Sequence, residues 1–178
     1  MSLHNLGTIE AALGRGDRGR ARFEEALELL RGAQDSSTEA LCLAGLASTL
    51  MALEETEDAR RRLQECLAIL SQIDTPRERL YALEALAELA VALGRHLDAA
   101  RFVGAAGAIR EAHGMSYFPV EKIQVDRLLG LARENLGAAE TDRASAEGRE
   151  LPPEQVLADA WSMLEDEAAQ RGSKDGVG

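Results

Sequence analysis

Aromatic side chains are scarce in this chain: three Phe, two Tyr and one Trp among 178 residues, or 3%. The core therefore has to be built from small and aliphatic groups, and the abundance of Ala, Leu, Glu and Arg favours packed helices over a sheet. Basic residues are also outnumbered, with 20 Lys and Arg against 31 Asp and Glu and a formal net charge of -11. The arginines are scattered among carboxylates instead of forming a stripe. Such a chain repels phosphate backbones and anionic lipid, so neither direct nucleic-acid contact nor a membrane surface is expected.

Long apolar runs are missing too. No stretch of about 18 apolar residues occurs, and the first residues lack the charged start and apolar run of a secretory signal, which together predict a soluble, cytoplasmic chain. Cysteine is limited to Cys42 and Cys66. Both fall within apolar helical patterns without a CxxC or a nearby His, so they read as buried free thiols and not as a zinc site or disulfide framework. The length is that of one ordinary domain, sufficient for a core that needs no staples.

What the chain does have is a repeat at a spacing of 40 residues. Leu3, Leu43 and Leu83 are related by that step, as are Leu6, Leu46 and Leu86, and Leu13, Leu53 and Leu93. It continues through Phe23, Leu63 and Val103, then Ala26, Cys66 and Ala106. Small residues recur likewise at Gly7, Ala47 and Ala87, and at Gly19, Ala59 and Ala99. Large matching large and small matching small implies one packing unit used three times.

Within a unit, Leu43, Leu46, Ala47, Leu50 and Leu53 lie three or four apart, on one helical face, and Ala59, Leu63, Cys66, Leu67 and Leu70 form a second stripe. Short polar links, Gly14 to Arg18, Glu54 to Asp58 and Gly94 to Asp98, join the two stripes, so each unit is an antiparallel helix hairpin. Breaks at Gly32 to Ser37 and Ser71 to Pro76 separate the hairpins, dividing the chain at about 1–34, 35–74 and 75–113. In Asp74-Thr75-Pro76, Asp or Thr is expected to cap a helix whose first turn holds Pro76.

Leu46-Ala47 followed by Ala59, Leu63 and Cys66, and Leu86-Ala87 followed by Gly94, Ala99, Val103 and Ala106, resemble the tetratricopeptide (TPR) pattern. That resemblance implies an all-α, right-handed α-solenoid that mediates protein–protein interaction. The 40-residue step exceeds the usual ~34, so longer hairpins are expected, and the family's aromatic positions are mostly aliphatic here. A second resemblance spans about residues 80 to 169. Ala99 to Ala106, Arg110-Glu111, the turn from Gly114 to Pro119, Asn135-Leu136-Gly137, Ala138 to Ala146, Glu147-Gly148-Arg149 and Pro153 to Trp161 follow in order. The series is similar to the closing section of bacterial signal-transduction ATPases and LuxR-type regulators. It implies a fragment of a transcriptional or signalling regulator, its ATPase and DNA-binding parts upstream.

Past Gly114 the 40-residue pattern stops. An amphipathic helix from Pro119, with Ile123, Leu128, Leu129, Leu131 and Leu136, and a Val156, Leu157, Ala160, Trp161, Leu164 stripe are read as capping helices over 114–170, followed by an unstructured tail at 171–178.

No catalytic, cofactor or metal residue is expected. His4, His96 and His113 lie far apart without a carboxylate at ligand spacing, no GxSxG or SxxK nucleophile motif occurs, and no GxxxxGK[ST] phosphate loop is present. The useful surface of a solenoid is the wall formed by the first helix of each hairpin. Spacing places Thr8 and Ala11, then Ser48 and Met51, then Tyr81, Glu84, Glu88 and Val91 along it. Apolar, hydroxyl and acidic groups suit a helix or loop with basic residues as the protein or peptide partner. Met51 and Val91 fit equally well as contacts with the next hairpin. Self-association, as in a homodimer, is the alternative role.

Two stability measurements check the hairpin assignment. Leu46→Ala is expected to lower the urea unfolding free energy by roughly 2 to 5 kcal/mol. Ala59→Leu and Ala99→Leu should each lower it by roughly 1 to 3 kcal/mol through overpacking. Unchanged midpoints would remove the assigned contacts.

Overall fold

The computed structural model describes residues 2–175, and among these there are nine helices and no strand. The helices are α1 (Leu3–Ala12), α2 (Gly16–Leu30), α3 (Ser36–Ala52), α4 (Thr56–Leu70), α5 (Pro76–Ala92), α6 (His96–Ala112), α7 (Pro119–Leu136), α8 (Ala138–Glu150) and α9 (Pro153–Asp175). The fold is the all-α solenoid that the repeat predicts. Pairs α1–α2, α3–α4 and α5–α6 pack as hairpins, and α1, α3 and α5 touch in succession to form one row.

Each first helix ends in the same way. The Arg15, Glu55 and Arg95 amides donate to the carbonyls of Glu10, Leu50 and Ala90 at 2.9, 2.9 and 2.8 Å. The residue before each donor turns left-handed: Gly14 at φ 73°, Glu54 at φ 63° and Gly94 at φ 73°. This closure satisfies carbonyls that the helix end would otherwise orphan. Glycine adopts the conformation freely, whereas the Cβ of Glu54 crowds its own backbone there.

The core is a continuous seam of leucine and alanine, with Leu43, Leu46, Leu63, Leu67, Leu80, Leu83, Leu86 and Leu89 fully buried. Of the repeated leucines, Leu46 and Leu86 are sealed while Leu6 is half-buried, because among the described residues only α3 lies beside α1 in the row. Side-chain size is balanced between the helices. Phe23, the largest residue at its repeat position, fits because a Cβ on Gly7 would come within 2.9 Å of its ring and one on Gly45 within 2.6 Å. Where Leu63 and Val103 replace it, the row helices carry Ala47 and Ala87 instead of Gly7.

Beyond Gly114 the spacing lengthens to 42 residues: Leu83, Leu86 and Ala90 are followed by Val125, Leu128 and Ala132, all buried, and Ala99 and Ala106 by Thr141 and Gly148. α7 thus extends the row by packing on α5 and α6. Its mate departs from the plan. At Gly137 (φ 85°) the chain turns sharply and α8 lies mainly against α6. The two backbones touch: a Cβ on Gly104 would sit 2.0 Å from the Ser145 carbonyl oxygen, and one on Gly148 2.0 Å from that of Arg101. α9 then returns to the repeats, burying Val156, Ala160, Met163 and Leu164, with Arg60 donating to the Leu164 carbonyl and Arg95 paired with Asp166.

Three local expectations are corrected. Ile123 does not join the inward stripe of α7, where Val125, Leu128 and Ala132 set the register; it is 69% exposed. Neither Asp74 nor Thr75 caps α5: the Thr75 hydroxyl is buried without a partner, and Asp74 accepts from Arg79 instead. The expected tail from Arg171 falls partly on α9, which runs to Asp175; residues 176–178 lie outside the described residues.

Substitution at the α6–α8 contact and at the strained turn should have opposite signs. Gly104→Ala and Gly148→Ala are expected to lower the unfolding free energy by roughly 1 to 3 kcal/mol. Glu54→Gly should raise it by about 1 kcal/mol, since the left-handed penalty is lifted. Urea titration reads both, and a neutral Gly148→Ala would contradict the backbone contact.

Candidate functional site

The row surface of α5 is not bare: α7 covers it. Arg110, on α6 and only 4% exposed, is the hub. Its Nη2 lies 2.9 Å from Glu84 Oε1 and 3.1 Å from Glu121 Oε2, its Nη1 donates to the Ser116 carbonyl at 3.3 Å, and its guanidinium carbon sits 4.1 Å over the Tyr117 ring. Three elements therefore meet on one cation. Glu121 also accepts the Phe118 amide at 3.0 Å, which caps α7, and shares a hydrogen bond with Tyr81.

Glu88 lies one turn further along α5. The Ser48 hydroxyl from α3 and the Gln124 amide from α7 hydrogen-bond its carboxylate, with Arg127 as the nearest opposing charge. Burial pushes the Glu88 carboxyl up to about 7 despite those donors. Burial likewise raises Glu84 above the ordinary carboxylate value, against the pull of Arg110. For Arg110 itself burial works downward, but the Glu84 hydrogen bond and charge, with Glu121 and Tyr117, prevail and hold it above its usual value.

Of the residues that spacing placed on the wall, Ser48, Tyr81, Glu84 and Glu88 are thus brought together, as part of a half-buried polar cluster under α7. Met51 and Val91 are half-buried and pack against the core. Thr8 is exposed, its hydroxyl donating to the His4 carbonyl at 3.1 Å, and Ala11 is half-buried on α1. Sequence reasoning missed Arg110, Glu121 and Gln124. Arg110 carried a signal, since it continues the buried Ala99, Val103, Ala106 stripe of α6, where an unpaired charge is untenable.

No group of three or more His, Cys, Asp or Glu is placed to hold a metal ion among the described residues. Both thiols are buried and free, pushed up by burial to about 11 at Cys42 and about 12 at Cys66. No helix among the described residues is long and apolar enough to cross a membrane.

The raised Glu88 value ties stability to pH. The folded state holds this proton more tightly than the unfolded chain, whose carboxyl ionises near 4.5. Stability present below that pH is therefore lost as pH climbs towards about 7, by up to about 3 kcal/mol. Urea midpoints should fall between pH 5 and pH 8, and Glu88→Gln should remove most of that fall while being the more stable form at pH 8.

No curated protein and no solved structure matches the chain. The tetratricopeptide repeat family model matches residues 1–72, which contain the first two hairpins. This match, with a third hairpin on the same plan, supports a tetratricopeptide-repeat protein, of a family whose repeats generally mediate protein–protein interaction.

Proposed function

We propose that the chain is a non-catalytic interaction and effector-sensing module of a bacterial transcriptional or signalling regulator, holding a partner helix on the row α1–α3–α5. The observation that carries this reading is α7. An amphipathic helix lies on that row, with Val125 and Leu128 buried and with the Gln124 amide and Arg127 charge set towards Glu88. The wall thus has the chemistry to hold a helix with apolar and basic groups at helical spacing. The α1 and α3 part, with Thr8, Ala11 and Met51, is the stretch left for a partner, Ser48 being engaged with Glu88. A regulator would use such contact to shift the pose of attached domains by binding one arrangement more tightly than another. The order of pieces from Ala99 to Trp161 supports that setting.

Fluorescence anisotropy with a labelled basic amphipathic peptide tests the wall. The wild-type chain is expected to bind saturably, and Thr8→Arg with Met51→Arg to weaken binding at least tenfold. Equal affinities, with helicity retained, would discard the groove. A second reading, self-association into a homodimer or larger scaffold, is favoured by Phe118, Val120 and Ile123, which are 66%, 55% and 69% exposed at the start of α7. Light scattering across concentrations separates the two, since a monomer throughout excludes assembly by this chain.

A further inference from the structure

The turn from α8 into α9 bridges a cleft of about 230 Å³ against the third hairpin. It adjoins a shallower space of about 650 Å³ at Arg79 and Pro153, and Trp161 lines that second space. The walls of the smaller cleft are apolar, with Leu83, Ile109 and Val156 prominent. The ionisable groups lining it are Arg79, His113 and Arg149, and no carboxylate does so. In a chain of net charge -11, a recess lined by two arginines and no carboxylate is a departure from the general balance.

Arg79 is the telling residue. It is 9% exposed, and its Nε is buried without a hydrogen-bond partner. Its other contact, Nη2 to Asp74 at 3.0 Å, reaches a side chain that is 89% exposed. Arg149 is similarly paired outward, with Glu111, whose side chain is 71% exposed. Pairs with solvated carboxylates are weak. A guanidinium with an unpaired N–H in an apolar recess is a strong donor site for a planar anion.

We propose that this cleft binds the carboxylate of a small amphipathic acid, its head on Arg79, His113 and Arg149 and its hydrocarbon against Leu83, Ile109 and Val156. A ligand there would join the third hairpin to the α8–α9 turn, fixing the C-terminal helices on the repeats. By helical spacing Arg79 and Leu83 lie on the side of α5 opposite Tyr81, Glu84 and Glu88, so the site is independent of the partner wall.

The test is titration of the full chain with octanoate, followed by calorimetry and by the fluorescence of Trp161, the single tryptophan. Octan-1-ol supplies the tail without the charge and inorganic phosphate the charge without the tail. Saturable octanoate binding is expected, at least tenfold tighter than either control. Arg79→Met should weaken it at least tenfold, and so should the double variant His113→Gln, Arg149→Gln, whose residues are exposed enough to leave folding intact. If circular dichroism shows Arg79→Met to be unfolded, the double variant decides. Octanoate that does not saturate, that binds all forms alike, or that is outcompeted by phosphate alone overturns the proposal.

Discussion

The backbones of α6 and α8 meet directly, Gly104 lying beneath the Ser145 carbonyl and Gly148 beneath that of Arg101. At that separation no side chain fits, so dispersion contacts run from backbone to backbone and the helices are held in one relative position. The rest of the C-terminal region follows from it. With α8 fixed on α6 and the turn at Gly137 only one residue long, α7 is confined to the row surface of α5, and α9 must start beside the third hairpin.

That confinement explains why charges lie inside an otherwise aliphatic protein. Placing α7 on α5 brings Glu121 to Glu84, two carboxylates that would repel in a low dielectric. Arg110 from α6 lies within reach of both and is itself enclosed by the Tyr117 ring. Removing either partner of a buried pair leaves an uncompensated charge, so the trio commits α5, α6 and α7 to a single arrangement. Glu88 lacks a comparably close cation, and the Ser48 and Gln124 donors only partly offset the cost of burying its charge, which is why its proton is held so firmly.

The repeated part of this architecture was legible in the sequence because close packing leaves a size code. Leu46 and Leu86, or Ala59 and Ala99, occupy equivalent spaces and so keep equivalent volumes. The wall residues were legible as a row, since helical spacing alone puts Ser48, Tyr81, Glu84 and Glu88 on neighbouring first helices. Their cover by α7 was not. The step lengthens from 40 to 42 residues after Gly114, and the α8 positions hold Thr141 and Gly148 where Ala99 and Ala106 stood, so the search for a fixed period lost the fourth unit. Ile123 misled for a related reason: an apolar residue on a helix that packs by only one narrow stripe need not belong to that stripe.

Cys42 and Cys66 sit on the two helices of the middle hairpin, both fully buried, with the Cys66 thiol donating to the Ala40 carbonyl across the seam. Burial keeps them protonated and out of reach, so they are chemically silent while α3 and α4 remain together. Thiol chemistry at this pair is consequently gated by separation of the central helices, and any modification found there records that the solenoid has come apart at its middle and not at a fraying end.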